Sequence, residues 1–81
     1  MAGKDTEQKL INETNKWLEK AVEKRKQAQG RKDFLANIDA YLKDARHFLK
    51  EKDFVRAFES VVWAWAWIEI GLQEKILREK N

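Results

Sequence analysis

The chain has no cysteine, no proline and only three glycines among its 81 residues. Without cysteine there is no disulfide, no thiolate nucleophile and no Cys-ligated zinc; a reducing cytoplasm fits such a composition. Without proline and with so little glycine, the tight turns of a multi-stranded sheet are hard to build, and helices are favoured. Ser60 is the only serine and His47 the only histidine. Neither has the neighbours of a Ser/His/Asp set, and one histidine with no second soft ligand makes a poor metal site. There is no Gly-rich phosphate loop and no HExxH pair. The expectation is a non-enzyme with no cofactor, no metal and no small-molecule ligand.

Long uncharged runs are missing too. The most apolar stretch, residues 54–72, carries Arg56, Glu59 and Glu69, and a membrane-spanning helix should be nearly free of charge. Met1-Ala2-Gly3-Lys4-Asp5 has no apolar core, so a signal peptide is not expected there. The net charge of +3 is mild and names no polyanion partner by itself.

What the chain does have is charge, at 38% of residues, together with four tryptophans and four phenylalanines. Large aromatic side chains compensate for small size, since each buries much apolar area. Apolar residues recur at three- and four-residue spacing in three stretches. Leu10, Thr14, Trp17, Leu18, Ala21, Val22 and Ala28 form the first stripe. Phe34, Leu35, Ile38, Tyr41, Leu42, Ala45, Phe48 and Leu49 form the second. Gly30 is the expected helix stop, while Asp33 and Asp53 are the expected N-caps. The pattern predicts an all-α fold, an up-down-up three-helix bundle in a single domain over 1–81, with helices at about 5–29, 33–50 and 54–79. Short connections make consecutive helices antiparallel neighbours.

The third helix has two apolar faces. Phe54, Phe58, Val61, Trp65, Ile68, Leu72 and Ile76 share one side, suited to the bundle core. Ala57, Ala64 and Gly71 repeat every seven residues, a row of small side chains that lets another helix approach closely. Trp63, Trp67, Ile70 and Leu77 fall nearly opposite the core side, with Arg56 and Glu74 as a polar rim. Trp63 and Trp67 alone would present roughly 300–500 Å² of apolar surface, which rivals the largest patch of an ordinary monomer. This face predicts a homodimer or a helical protein partner. The competing expectation is that the first helix wraps round and covers it. Glu69 lies between Trp67 and Ile70, and if the surface around it is covered its carboxylate needs a hydrogen-bond donor or shifts its pKa upward.

Basic residues gather late in the helices and acids early, the order the helix dipole favours. In an up-down-up bundle this brings Lys24, Arg25, Lys26, Arg31, Lys32, Arg78 and Lys80 to one pole. Such a pole predicts nucleic-acid binding as the alternative function, although no aromatic side chains interleave with the charges to stack bases.

The segments Ala40-Tyr41-Leu42-Lys43-Asp44-Ala45-Arg46-His47-Phe48-Leu49, Lys52-Asp53-Phe54-Val55-Arg56-Ala57-Phe58 and Val62-Trp63-Ala64-Trp65-Ala66-Trp67-Ile68-Glu69-Ile70-Gly71-Leu72 resemble the archaeal domain-of-unknown-function family numbered 357. The resemblance covers residues 34–72 closely. It implies a compact three-helix bundle, an archaeal source and a cytoplasmic location, and it implies no activity and no functional residues. A glycine commonly precedes the aspartate of the second turn in that family, where this chain has Lys52.

Overall fold

Each of the three apolar stripes becomes one helix in the computed structural model, which describes residues 2–80; Met1 and Asn81, the ends of the expected domain, lie outside them. Helix α1 spans Ala2–Gln27, α2 Lys32–Lys50 and α3 Phe54–Gln73. The inward residues are those the spacing selects. Ala21, Ile38, Leu42, Ala45, Val61 and Ile68 are buried, and Trp17, Leu18, Phe34, Leu35, Tyr41, Phe48 and Leu49 are half-buried around them. Thr14 is fully buried; its hydroxyl donates to the Leu10 carbonyl at 2.7 Å, so no polar group is orphaned there.

The row of small residues faces straight into the bundle. Ala57, Ala64 and Gly71 are all buried, and α3 packs most extensively on α2 and next on α1. The molecule is elongated, 46 × 19 × 17 Å, because α1 alone is about 39 Å long at 1.5 Å per residue.

The turn between α2 and α3 shows how helices end here without glycine. Lys52 adopts the left-handed conformation, φ 60°. Its N–H donates to the Leu49 carbonyl at 3.1 Å, and the Asp53 N–H reaches the Phe48 carbonyl at 2.9 Å. This paired pattern is a Schellman motif, which satisfies carbonyls that the helix end leaves open. Asp53 is the N-cap of α3, as its type predicts, with Oδ1 accepting from the Arg56 N–H at 3.2 Å.

Three expectations are corrected. The third helix does not run to 79. It stops at Gln73, where Lys75 takes φ 61° and a second Schellman motif forms: Lys75 N–H to the Leu72 carbonyl at 3.2 Å, Ile76 N–H to the Gly71 carbonyl at 2.9 Å. A left-handed lysine costs roughly 1–2 kcal/mol, whereas burying a leucine gains about 1.5–3 kcal/mol. Turning the chain back therefore wins, because it buries Leu77. Nor does the first helix keep to 5–29: it begins at Ala2 and ends at Gln27, after which Ala28–Gly30 forms strand β1, and Leu77–Glu79 forms β2. The strands pair antiparallel, with Ala28 opposite Glu79, Gln29 opposite Arg78 and Gly30 opposite Leu77. Gly30 is thus a site of close backbone approach rather than a helix cap. Finally, the N-cap position of α2 is Arg31, and Asp33 sits in the first turn, its carboxylate accepting from the Phe34 N–H at 2.9 Å.

Candidate functional site

Helical geometry puts Trp63 and Ile70 seven residues apart, on nearly the same line along α3. Both remain on the outside of the bundle, Trp63 52% and Ile70 39% exposed. Trp67 lies one turn from Trp63, their ring centroids 6.5 Å apart and tilted by 31°. On its other side Trp67 meets Phe34 of α2 edge to face, at 5.8 Å and 84°. Trp67 is therefore the boundary between core and surface, with α2 rather than α1 covering its inner side. Its indole N–H is buried and has no acceptor among the described protein atoms.

Leu77 does not join this face. It is buried against Gly30 and Gly71 and belongs to the core. Only a helix continuing beyond Gln73 would put Leu77 on the outer side. Arg56 and Glu74 do flank the face, both exposed. Arg56 makes a long ion pair with Asp53, 3.5 Å, and its guanidinium lies 5.9 Å from the centre of the Phe48 ring. Glu74 is the C-cap residue of α3 and makes no salt bridge among the described residues.

The remaining tryptophan of the run is covered from within the chain. Trp65 packs edge to face on Trp17 of α1, with centroids 5.5 Å apart. The ammonium groups of Lys20 and Lys24 lie over the Trp17 and Trp65 rings at 4.6 and 5.2 Å. Glu69 has the donor its position requires, the Lys24 ammonium at 2.8 Å.

At the other candidate site the helix ends and the ribbon collect the basic residues at one end of the bundle, but carboxylates meet them there. Lys24 is held by Glu69. Arg25 makes two hydrogen bonds to Asp39, at 2.7 and 3.0 Å. Arg31 pairs with Asp33 at 2.7 Å, and this guanidinium holds the Asp33 carboxyl below the usual aspartate range. Lys26, Lys32, Arg78 and Lys80 are exposed and form no salt bridge among the described residues. His47 is exposed, its ring 5.7 Å from that of Phe48. No group of three or more metal-ligating side chains is clustered among the described residues, and no helix there is long and apolar enough to cross a membrane.

A family model described as a protein of unknown function, DUF357, matches residues 6–77. The chain belongs to the DUF357 family. The crystal structure of a DUF357 protein from Archaeoglobus fulgidus is similar to it, with 52% sequence identity, a TM-score of 0.89, and 93% of this chain and 99% of that one covered. No curated protein matches. The DUF357 match runs from Thr6 to Leu77, so it takes in the Gly30–Leu77 pairing as well as α2, α3 and all but the first residues of α1.

Two residues of the outer face escape the sequence reading of this DUF357 chain. Val55 and Val62 are 59% and 46% exposed and continue the apolar strip of α3 beside Trp63 and Ile70. They are also seven residues apart, and that spacing was the available signal. Val62 further borders an open cavity of about 210 Å³ between α1 and α3, lined by Trp17, Phe58, Val61 and Trp65.

Proposed function

We propose that this DUF357 chain is a non-enzymatic interaction module of the cytoplasm that binds a helix of another polypeptide chain through the outer face of α3. One observation carries the reading: Val55, Val62, Trp63 and Ile70 stand exposed along a single side of one helix, a grouping that goes beyond scattered surface apolar residues. Trp63 is the anchor, because aromatic side chains dominate interface energetics once water is excluded. Arg56 and Glu74 supply a polar rim that stays partly wet and contributes selectivity more than affinity. The basic pole carries less, since three of its cations already engage carboxylates of the same chain. The Cys-free composition fits a reducing compartment.

The test compares polypeptides, the untagged chain itself included, retained from an extract of cells that produce it by the tagged wild-type protein and by a Trp63→Glu/Ile70→Glu variant, after thermal melting has shown both to be folded. A polypeptide retained by the first and lost from the second supports the module. An identical set on both baits overturns it, as does global unfolding of the variant, which would assign the face to the monomer core.

A further inference from the structure

We infer that the occupant of the α3 face is a second copy of this chain, docked antiparallel about a two-fold axis that crosses α3 near Trp65. This rests on the interaction-face reading above and specifies its partner. Arg56 lies seven residues before Trp63, and Glu74 lies seven residues after Trp67. Seven residues are two turns of helix, so the two charges extend the two tryptophan rows in opposite directions. The arrangement Arg56-Trp63-Trp67-Glu74 is symmetric about position 65. A two-fold axis there sets Trp63 opposite Trp67 of the second copy, and Arg56 opposite Glu74 of the second copy. Both pairings occur twice, as an isologous interface requires. A parallel pairing would instead set Arg56 on Arg56 and Glu74 on Glu74, and like charges repel.

The charges themselves need an explanation that the helix does not provide. In α1 and α2 the first turn carries an acid and the last turn bases, whereas α3 has neither an acid in its first turn nor a base in its last. Arg56 near the N-terminus and Glu74 at the C-cap both oppose the dipole. Glu74 has no salt-bridge partner among the described residues, and Arg56, beyond its approach to the Phe48 ring, has only the 3.5 Å ion pair with Asp53 there. A guanidinium has five donors, so that contact leaves room for a second carboxylate. The row is accessible: Trp63 is 52% exposed, and Arg56 and Glu74 at its two ends are exposed as well. Trp63 and Trp67 of two copies would together bury roughly 600–1,000 Å², below the roughly 1,200 Å² of total surface at which standard stable interfaces begin. The dimer is accordingly concentration-dependent, with dissociation in roughly the micromolar range.

The experiment is sedimentation equilibrium of the purified chain from about 1 µM to 1 mM at low salt. The wild-type mass is expected to rise from 9.7 kDa toward twice that value. Arg56→Glu and Glu74→Arg should each weaken association about tenfold by replacing two attractions with two repulsions. The double variant should restore it to near the wild-type value, because the swapped charges are again complementary. Each reversal also improves the match to the helix dipole, so a weakened dimer cannot be blamed on a damaged helix. A monomer throughout overturns the proposal. If the wild type then still retains another polypeptide that Trp63→Glu/Ile70→Glu loses, the face reading survives without self-pairing. A dimer whose charge-swapped double variant is as weak as the single variants overturns the antiparallel register.

Discussion

Gly30 and Leu77 face one another across the two-stranded ribbon, so closely that a side chain on Gly30 would collide with the Ile76 carbonyl and the Leu77 backbone. Gly30 also has φ 149°, a conformation that residues with a Cβ rarely adopt. The ribbon therefore works as a clasp. It ties the end of α1 to the segment after α3, and the Lys80 N–H closes it on the Gln27 carbonyl at 2.6 Å.

Leu77 is the apolar plug of that clasp, only 3% exposed. Leu77→Ala is expected to lower unfolding free energy by about 2–5 kcal/mol, the usual range for a buried leucine. Urea denaturation followed by tryptophan fluorescence measures it. A loss below about 1 kcal/mol would mean that Leu77 lies on the surface, where an uninterrupted third helix would have put it.

Lysines in the left-handed conformation end both α2 and α3. Lys52→Gly and Lys75→Gly should each raise stability by about 0.5–1 kcal/mol, the left-handed strain relieved less the added flexibility of the unfolded chain. Melting temperatures of the two single variants and the double variant check this. The sites lie in separate turns, so the gains should add. Two decreases instead would show that the lysine side chains themselves hold the turns.

Much of this architecture is legible in the sequence because burial enforces period. All eight residues assigned to the inner side of α2, from Phe34 to Leu49, are buried or half-buried. Asp53 announces the start of α3 through its own chemistry. The end of α3 is not legible, since Gln73-Glu74-Lys75-Ile76-Leu77 contains no glycine and every residue in it suits a helix. What stops the helix is a long-range gain, the burial of Leu77 beside Gly30, and no local pattern encodes that. The outer face of α3 was readable at Trp63 and Ile70. Leu77 belongs to the core and Val55 and Val62 to the outside, because helical spacing sets the direction of a side chain but not where the helix ends or which neighbour covers it.

Arg31 Nε donates to the Asp33 carboxylate at 2.7 Å, and that bond holds the Asp33 carboxyl below its ordinary value of 3.8. A depressed folded-state value stabilises the fold above the ordinary carboxylate range, and the contribution disappears as pH falls through the lowered value. Carboxyl NMR titration of Asp33 should therefore give a midpoint below 3.8. Arg31→Ala should raise it, and added salt should do the same because the pair is exposed. A midpoint indifferent to Arg31 would remove the cause assigned here.

Gly71→Ala sets two effects of known size against each other. Alanine in a helix interior is favoured over glycine by roughly 1 kcal/mol. Yet an added Cβ would lie 2.7 Å from Phe34 Cε1, 2.7 Å from Leu77 Cδ1 and 2.8 Å from Leu77 Cγ. Neither neighbour is free to retreat, because Phe34 abuts Trp67 and Leu77 is wedged against Gly30. Overpacking a filled core costs about 1–3 kcal/mol, so the substitution should destabilise on balance, by about 1 kcal/mol. Displacing Phe34 should also disturb Trp67 and change the tryptophan emission of the native state. Denaturant unfolding with native-state fluorescence reads both effects at once. A variant more stable than wild type with unchanged emission would show that Leu77 and Phe34 yield cheaply, and that the glycine is not required for the approach of α2 and the clasp to α3.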